Sequence, residues 1–180
     1  MKNIVVITGS SRRGGNSELM ARAFIEGAQQ TGHNVFLFET LNKKLSCCIA
    51  CDNCFSKGQA CSMSDDFNEL APILENADTI VFCTPLYWFT FPAKIKIVID
   101  KLYSFIIGRR ELKINESALM VCAETNKTED FEGIIKTYEL ILDYKKWRNA
   151  GILTVPNVYN IGDIKKTDGL IKAKEMGINI

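Results

Sequence analysis

The sequence predicts an α/β fold with a five-stranded parallel sheet in the order 2-1-3-4-5 and helices on both faces. Short apolar runs alternate with segments of helical spacing along the 180-residue chain. Several runs are continuously apolar, which is typical of strands buried on both faces. A helix-length segment separates successive strands, as right-handed crossovers between parallel strands require. This order places a switch point, where such folds bind ligands, between strands one and three.

The first half of the chain alternates strand and helix signals. The apolar run 4–7 predicts the first strand, which ends at Gly9. Leu19, Ala23 and Phe24 recur at helical spacing and predict a helix over 16–30. The next elements are strand 35–38, a helix from 67 to about 76, strand 79–83, and a helix from 94 to about 106. Segment 40–65 has no clear periodicity.

The second half continues the alternation and closes the sheet. Its expected elements are strand 117–123, helix 131–147, a short edge strand over 151–155, and a last helix from about 165 to 176. A chain of this length suits one domain, residues 1–180, with a cysteine-rich insertion at about 40–65.

Composition narrows the classes of partner. The chain has 22 basic and 21 acidic residues, a balance that gives no reason to expect a nucleic acid or an anionic membrane as partner. We find no cleavable signal and no apolar stretch of transmembrane length, so we expect a cytoplasmic protein. In that reducing compartment the seven cysteines favour metal ligation or redox chemistry over disulfides.

The loop after the first strand is suited to an anion. Ser10, Arg12, Asn16 and Ser17 supply polar donors, and Gly15 lets the backbone approach a ligand closely. The helix that begins there adds free N–H groups. The loop lacks both the Lys-Ser/Thr of a P-loop and the Gly-x-Gly-x-x-Gly of a dinucleotide fold, so a terminal monophosphate is favoured. A polar turn without a ligand is the alternative.

Two further loops follow strands at the same edge of the predicted sheet. The loop after the third strand contains Pro85, Leu86, Tyr87, Trp88 and Phe89. Aromatic faces stack on flat heterocycles, and prolines limit the order lost on binding. A polar turn, Ala123-Glu124-Thr125-Asn126, follows the fourth strand. We expect all three loops to converge on one crevice. A subunit interface or a lid over the core is the alternative role for the aromatic side chains.

The pattern Gly-Ser-x-Arg-x-x-Gly-Asn-Ser after the first strand resembles the FMN phosphate loop of flavodoxin-like NAD(P)H-dependent FMN reductases and their iron-sulfur flavoprotein relatives. The resemblance extends through Leu102 and implies a flavodoxin-like three-layer sandwich with a single FMN-binding domain. Family members commonly have glycines after the fourth strand, where this chain has none. The cofactor-binding residues expected here are Ser10, Arg12, Gly15, Asn16, Ser17, Pro85, Leu86, Tyr87, Trp88, Phe89, Glu124 and Thr125.

Four cysteines form a compact motif. Cys48, Cys51 and Cys54 are separated by two residues each, and Cys61 follows six residues later. Thiolates at such spacing can surround one centre, as in ferredoxins. The motif resembles that of iron-sulfur flavoproteins, which implies that these four residues ligate a four-iron, four-sulfur (4Fe-4S) cluster near FMN. Redox-sensing or reduced thiols and a zinc site stay open, although structural zinc sites normally pair two separated Cys-x-x-Cys units.

Other chemically capable residues have simpler interpretations. His33 is the only histidine, and we interpret it as a loop residue remote from the crevice. Cys83 and Cys122 lie late in buried strands, where a thiol behaves as a small apolar group. Asp100 and Lys101 are interpreted as a surface ion pair at a helix end. We therefore assign no catalytic side chain, because the cofactor would carry the reaction.

The predicted function is that of an FMN-dependent oxidoreductase. It would accept hydride from NAD(P)H and pass electrons to a quinone, free flavin, a metal ion or a bound cluster. The alternative is a non-catalytic flavin and iron-sulfur electron carrier, or a thiol redox sensor. The resemblance also implies a homodimer or homotetramer that acts on a small-molecule acceptor.

Overall fold

A five-stranded parallel sheet in the order β2-β1-β3-β4-β5 forms the centre of the fold. The computed structural model describes all residues, 1–180. Its strands are β1 (Asn3–Thr8), β2 (Asn34–Glu39), β3 (Thr79–Pro85), β4 (Glu116–Cys122) and β5 (Arg148–Val155). The predicted strand order and parallel pairing are therefore confirmed.

Helices cover both faces of this sheet. They are α1 (Asn16–Gln30), α2 (Phe67–Glu75), α3 (Ala93–Lys101), α4 (Tyr103–Ile107), α5 (Glu132–Lys145) and α6 (Gly169–Asn179). One core contains buried residues of α2, α3, α4 and α5, and the other contains those of α1 and α6. Successive residues of β1 alternate between the two cores, as the two-residue period of a strand requires. No helix combines the length and the apolar character needed to cross a membrane.

The largest differences from the predicted elements occur at three places. The helix predicted over 94–106 is divided at Leu102, whose N–H is shared by the carbonyls of Val98 and Ile99. The last helix begins at Gly169 instead of about residue 165, because Thr167 has extended backbone angles. Strand β5 begins earlier than predicted, at Arg148, and its pairing with β4 carries a register shift between Asn149 and Gly151.

Two glycines bring α1 and α6 into direct backbone contact. A Cβ on Gly27 would lie 2.1 Å from the carbonyl oxygen of Lys174, and one on Gly177 would lie 2.1 Å from that of Phe24. Any larger residue would separate the two helices. Because α6 is held against α1 in this way, the loop that precedes α6 lies near the start of α1.

A buried carboxylate joins strands at the amino edge of the sheet. Glu116 is 2% exposed and accepts hydrogen bonds from Lys2 Nζ and Thr79 Oγ1, each at 2.6 Å. Arg148 also pairs with it. Burial opposes ionisation, yet the hydrogen bonds from Lys2 and Thr79 and the nearby charges lower the pKa of Glu116 below its usual value.

The cysteine-rich segment contains no strand or α-helix but is anchored on the protein. The Phe55 ring packs on Phe105, with centroids 5.9 Å apart. A Cβ on Gly108 would lie 2.3 Å from the Phe55 ring, so glycine is needed for this contact. At the start of the segment, Lys94 Nζ donates to the carbonyl oxygens of Thr40, Leu41 and Lys43.

Candidate functional site

A cleft of about 560 Å³ opens at the carboxyl edge of the sheet. It lies between the loops that follow β1, β3, β4 and β5, and its size falls in the range typical of cofactor sites. All of the residues predicted to contact the cofactor line it, so the predicted loops do converge. Six further residues line the cleft without having been predicted as cofactor contacts, and only Ala123 among them belongs to a loop that the sequence analysis placed at the crevice: Cys122, Ala123, Asp130, Val158, Tyr159 and Ile161.

The start of α1 presents unpaired donors to this cleft. Gly15 precedes the helix and offers no side chain to cap it. The backbone N–H groups of Asn16 and Ser17 have no acceptor within the chain. Ser17 is only 2% exposed, yet its hydroxyl also has no partner and the residue lines the cleft. A helix N-terminus with free N–H groups and a hydroxyl favours an anionic ligand.

The loop after β1 is held in a defined shape before any ligand binds. Ser10 Oγ accepts the N–H of Arg12 at 3.0 Å and donates to the Arg12 carbonyl at 3.1 Å. Gly9 N–H donates to the Cys83 carbonyl at 3.0 Å. A Cβ on Gly9 would lie 2.6 Å from Thr84 Oγ1, so glycine permits this close approach to β3. The hydroxyl of Ser10 thus shapes the loop.

Asn16 links the start of α1 to the loop between β5 and α6. Its Nδ2 donates to the Asn160 carbonyl at 2.9 Å. Its Oδ1 accepts the N–H groups of Gly162 at 3.0 Å and Ile164 at 3.2 Å. The side-chain amide is therefore engaged within the protein, and the donor that Asn16 offers to a ligand is its backbone N–H.

The β5–α6 loop forms a fourth wall that the sequence analysis missed. Arg12 Nη1 donates to the Tyr159 carbonyl at 3.1 Å, and the guanidinium lies 6.0 Å from the Tyr159 ring centroid. Tyr159 and Ile161 are largely exposed at the cleft. The position of this loop in the fold could have identified it as part of the cleft, because it also follows the carboxyl end of a parallel strand.

The aromatic loop contains a strained two-residue turn. Tyr87 and Thr90 exchange backbone hydrogen bonds of 3.2 and 3.1 Å. Between them Trp88 has φ 47° and Phe89 has φ 62°, the left-handed angles of a type I′ turn. For residues other than glycine, left-handed backbone angles cost roughly 1 to 2 kcal/mol of conformational free energy per residue. Trp88 is 91% exposed, and strain of this kind concentrates at functional sites.

Two carboxylates near the cleft, those of Glu18 and Asp130, have hydrogen-bond partners within the chain. Glu18, in the first turn of α1, accepts the N–H of Gly14 at 2.7 Å and pairs with Arg22. Partial burial opposes its ionisation, but the hydrogen bonds from Arg22 and Gly14 lower the pKa of Glu18. Thr125 Oγ1 donates to Asp130 Oδ2 at 2.5 Å, which fixes the loop after β4.

Two titratable side chains singled out by their residue type have defined surroundings. Burial raises the pKa of Cys122 to about 12, so its thiol stays protonated. His33 lies at the opposite edge of the sheet, where its Nδ1 accepts the N–H of Lys2 at 3.0 Å.

The four motif cysteines lie near one another on the surface segment. Cys48 and Cys51 are exposed, whereas Cys54 and Cys61 are half-buried. Burial, followed by the proximity of Cys61, Cys48 and Cys51, raises the pKa of Cys54. No group of three or more His, Cys, Asp or Glu residues is arranged to hold a metal ion. Ligation of a cluster by these cysteines stays a prediction.

The predicted surface pair of Asp100 and Lys101 is wrong. Asp100 pairs with Lys96 one turn earlier on α3. Lys101 is 2% exposed and forms a buried ion pair with Asp65, while its Nζ lies 3.5 Å from Cys61 Sγ. This contact could not be predicted from the sequence, because Asp65 and Lys101 are far apart along the chain.

Comparison with known proteins identifies relatives of both the sequence and the fold. The family model described as NADPH-dependent FMN reductase matches residues 2–130. An iron-sulfur flavoprotein of Archaeoglobus fulgidus is 28% identical over 98% of this chain and 77% of its own length. Another from that organism is 34% identical, over 57% of this chain and 52% of its own length.

Solved structures are similar over nearly the whole chain. An NAD(P)H:quinone oxidoreductase from Methanothermobacter marburgensis has a TM-score of 0.75 at 19% identity and covers 99% of this chain and 96% of its own. An azoreductase from Bacillus anthracis has a TM-score of 0.73 at 16% identity and covers 100% of both chains. These likenesses confirm the predicted flavodoxin-like sandwich.

Proposed function

The chain belongs to the NADPH-dependent FMN reductase family, and we propose that it oxidises NAD(P)H through FMN bound in the cleft and passes the electrons to a small-molecule acceptor. This membership confirms the resemblance carried by the phosphate-loop pattern. It also confirms the predicted class of enzyme, an NAD(P)H-dependent FMN reductase. The binding residues and the acceptor are part of the proposal.

One observation carries the proposal: the unpaired donors at the start of α1 face a cleft that is lined on its other side by aromatic residues. The free N–H groups of Asn16 and Ser17 and the unpartnered Ser17 hydroxyl fit the terminal phosphate of FMN. Arg12, which lies at the same place, supplies a positive charge. These donors need no rearrangement of the loop, because Ser10 already holds it.

The remaining cleft residues would hold the flat part of the cofactor. Pro85 to Phe89 and the loop after β4, with Glu124 and Thr125, border the space beyond the phosphate loop. FMN supplies the chemistry when bound, accepting hydride from a nicotinamide and releasing electrons singly or in pairs. The protein orients it and limits the access of water. Burial keeps the Cys122 thiol of the cleft protonated.

We further propose that Cys48, Cys51, Cys54 and Cys61 ligate a 4Fe-4S cluster that receives electrons from the flavin. The relatives in Archaeoglobus fulgidus are iron-sulfur flavoproteins by name. All four thiols are free, and the pKa of Cys54 responds to the other three. Left-handed φ angles at Ala50, Asp52 and Phe55 turn the backbone sharply between them, as loops that surround iron-sulfur centres do.

The proposal also covers the domain organisation of the chain and its assembly into an oligomer. We regard residues 1–180 as one FMN-binding domain with a cysteine-rich insertion at about 40–65. Exposed Trp88, Phe89 and Tyr159 beside the cleft support a homodimer or homotetramer whose contact surface includes this rim. Free cysteines throughout the chain fit a reducing, cytoplasmic location. Sedimentation of Trp88→Ala tests the assembly, and an unchanged oligomer would count against it.

Anaerobic purification followed by quantification of flavin, iron and sulfide tests the cofactors together. We expect one FMN per chain, absorbance typical of flavin and cluster, and multiple turnovers of NAD(P)H with a quinone or free flavin as acceptor. A colourless protein whose melting temperature FMN does not raise would refute the proposal.

The alternative is an electron carrier or thiol sensor, which the exposure of Cys48 and Cys51 to partner proteins favours. It predicts bound cofactors with negligible NAD(P)H turnover by the isolated protein. A thiol sensor would in addition change shape on oxidation, which small-angle scattering of the oxidised and reduced protein measures.

A further inference from the structure

The charged side chains that line the cleft are separated by sign. Arg12 lies on the loop after β1, where its Nη1 donates to the Tyr159 carbonyl at 3.1 Å. Glu124 and Asp130 lie on the segment between β4 and α5. Because the proposed FMN phosphate pairs with Arg12, the two carboxylates are the charges left to act on a second molecule that enters the cleft.

Neither carboxylate is neutralised by a cation of the chain. Glu124 is exposed and has no hydrogen-bond partner, and Asp130 accepts only the Thr125 hydroxyl. The ion pairs of the protein include neither residue, and Lys127, the one cation of this segment, forms none with them. Their negative charges therefore act on the open space of the cleft.

The surroundings keep the sign of the potential negative. Residues 124–132 include four acidic residues and one lysine, a formal charge of −3. The amino end of α5 offsets about half a unit of this charge, as a helix dipole does. On the other side of the cleft, the dianionic phosphate of FMN would offset Arg12 and the neighbouring Arg13. The loaded cleft is therefore negative where a second molecule approaches.

The aromatic turn lies directly against the same segment. A Cβ on Gly133, three residues after Asp130, would lie 2.6 Å from the Phe89 carbonyl oxygen. Trp88, next to Phe89, is 91% exposed and lines the cleft. Aromatic faces attract cations as well as flat neutral molecules, so the rings and the carboxylates favour the same classes of ligand.

We propose that Glu124 and Asp130 select the electron acceptor by charge: the cleft accepts an oxidant whose reacting group is neutral or cationic, and it excludes small anionic oxidants. This inference rests on the proposed function. A quinone takes up two electrons and two protons from reduced FMN and becomes a hydroquinone, whereas two one-electron cations take the electrons and leave the protons to the solvent. NAD(P)H is not excluded, because its negative charges are on phosphates several bonds from the neutral dihydronicotinamide ring.

The first test measures kcat/KM of the holoprotein for hexaammineruthenium(III), ferricyanide and a neutral quinone at saturating NAD(P)H. Between about 0.01 and 0.15 M salt, the value for the ruthenium cation should fall, that for the ferricyanide anion should rise, and that for the quinone should stay constant. The double variant Glu124→Gln, Asp130→Asn should lower the ratio of cation to anion about tenfold at low salt. The control Glu139→Gln, Asp143→Asn removes two exposed carboxylates of α5 outside the cleft and should leave that ratio within about twofold of wild type.

The second test needs no cofactor. The chain has two tryptophans and Trp147 is buried, so ions in solution quench mainly the fluorescence of Trp88. With acrylamide as the neutral reference, caesium should quench the wild-type apoprotein more strongly, and iodide less strongly, than the double variant Glu124→Gln, Asp130→Asn. Trp88→Phe should abolish the quenched signal, and the control variant on α5 should match wild type.

The outcomes distinguish the inference from the function on which it rests. If wild type binds no FMN, the proposed function is refuted and the inference falls with it. If FMN binds but the carboxylate variant has the acceptor ratio or the quenching of wild type, the inference alone is overturned. Glu124→Gln by itself changes an exposed side chain without a partner, so it should fold, keep FMN and show about half of each effect.

Discussion

Replacement of Ser17 by alanine removes a hydroxyl that the protein itself does not use. Ser17 Oγ has no partner within the chain, so the free energy of unfolding without ligand should change by less than about 0.5 kcal/mol. If the hydroxyl donates to the FMN phosphate, the variant loses a hydrogen bond to a charged group, worth roughly 1.5 to 3 kcal/mol. The dissociation constant for FMN should then rise about 10- to 150-fold.

The assay is titration of the apoprotein with flavin, followed by the quenching of flavin fluorescence. Riboflavin, which lacks the phosphate, should bind wild type and Ser17→Ala equally. The matched control is Ser104→Ala, because Ser104 Oγ is also buried without a partner but lies in α4, away from the cleft. An FMN affinity within twofold of wild type, or an equal loss for riboflavin, would refute the placement of the phosphate at α1.

Three other variants test the surrounding structure. Asn16→Ala removes three hydrogen bonds to the β5–α6 loop, so unfolding in urea should show a loss of about 3 kcal/mol, with faster hydrogen exchange in residues 159–164. Glu116→Gln should be less stable than wild type at pH 7 by about 2 kcal/mol. The pKa of Glu116 is lower in the folded state than its unfolded value of 4.5. The carboxylate therefore contributes fully to the free energy of unfolding above pH 4.5, and this contribution is lost as the pH falls through the folded-state pKa. A Glu116→Gln variant that loses as much stability as wild type between pH 7 and pH 3 would contradict this. Trp88→Asn combined with Phe89→Gly should raise the melting temperature by relieving about 2 kcal/mol of backbone strain, and an unchanged or lower value would count against the strain.

The general fold follows from patterns that are local in sequence. Continuous apolar runs such as Ile80 to Phe82 predict buried strands, and the chemistry of the residues after β1 and β3, which line one cleft, predicts a ligand site. Because the carboxyl ends of parallel strands share one edge, the convergence of these loops could be deduced before any coordinates were known.

Contacts between distant residues could not be deduced in this way. The amide of Asn16 reads as a ligand donor, but Asn160 and Gly162, more than 140 positions later, engage it instead. Lys101 follows Asp100 and looks like half of a surface pair until α3 is packed against the cysteine-rich segment. Both errors have the same cause. The sequence shows that a polar side chain can form hydrogen bonds or ion pairs, but it does not show which residue will be its partner.

The turn formed by Tyr87 to Thr90 also affects how this protein could be engineered. A screen that ranks variants by heat resistance alone would favour Asn-Gly at its centre, since those residues accept left-handed angles with little cost. Such a selection would remove the aromatic rings of Trp88 and Phe89 from the rim of the cleft, although the selected variants would be more resistant to heat. Variant libraries selected for thermal stability should therefore keep these four residues unchanged, or should be assayed for flavin binding as well as for the fraction that stays folded after heating.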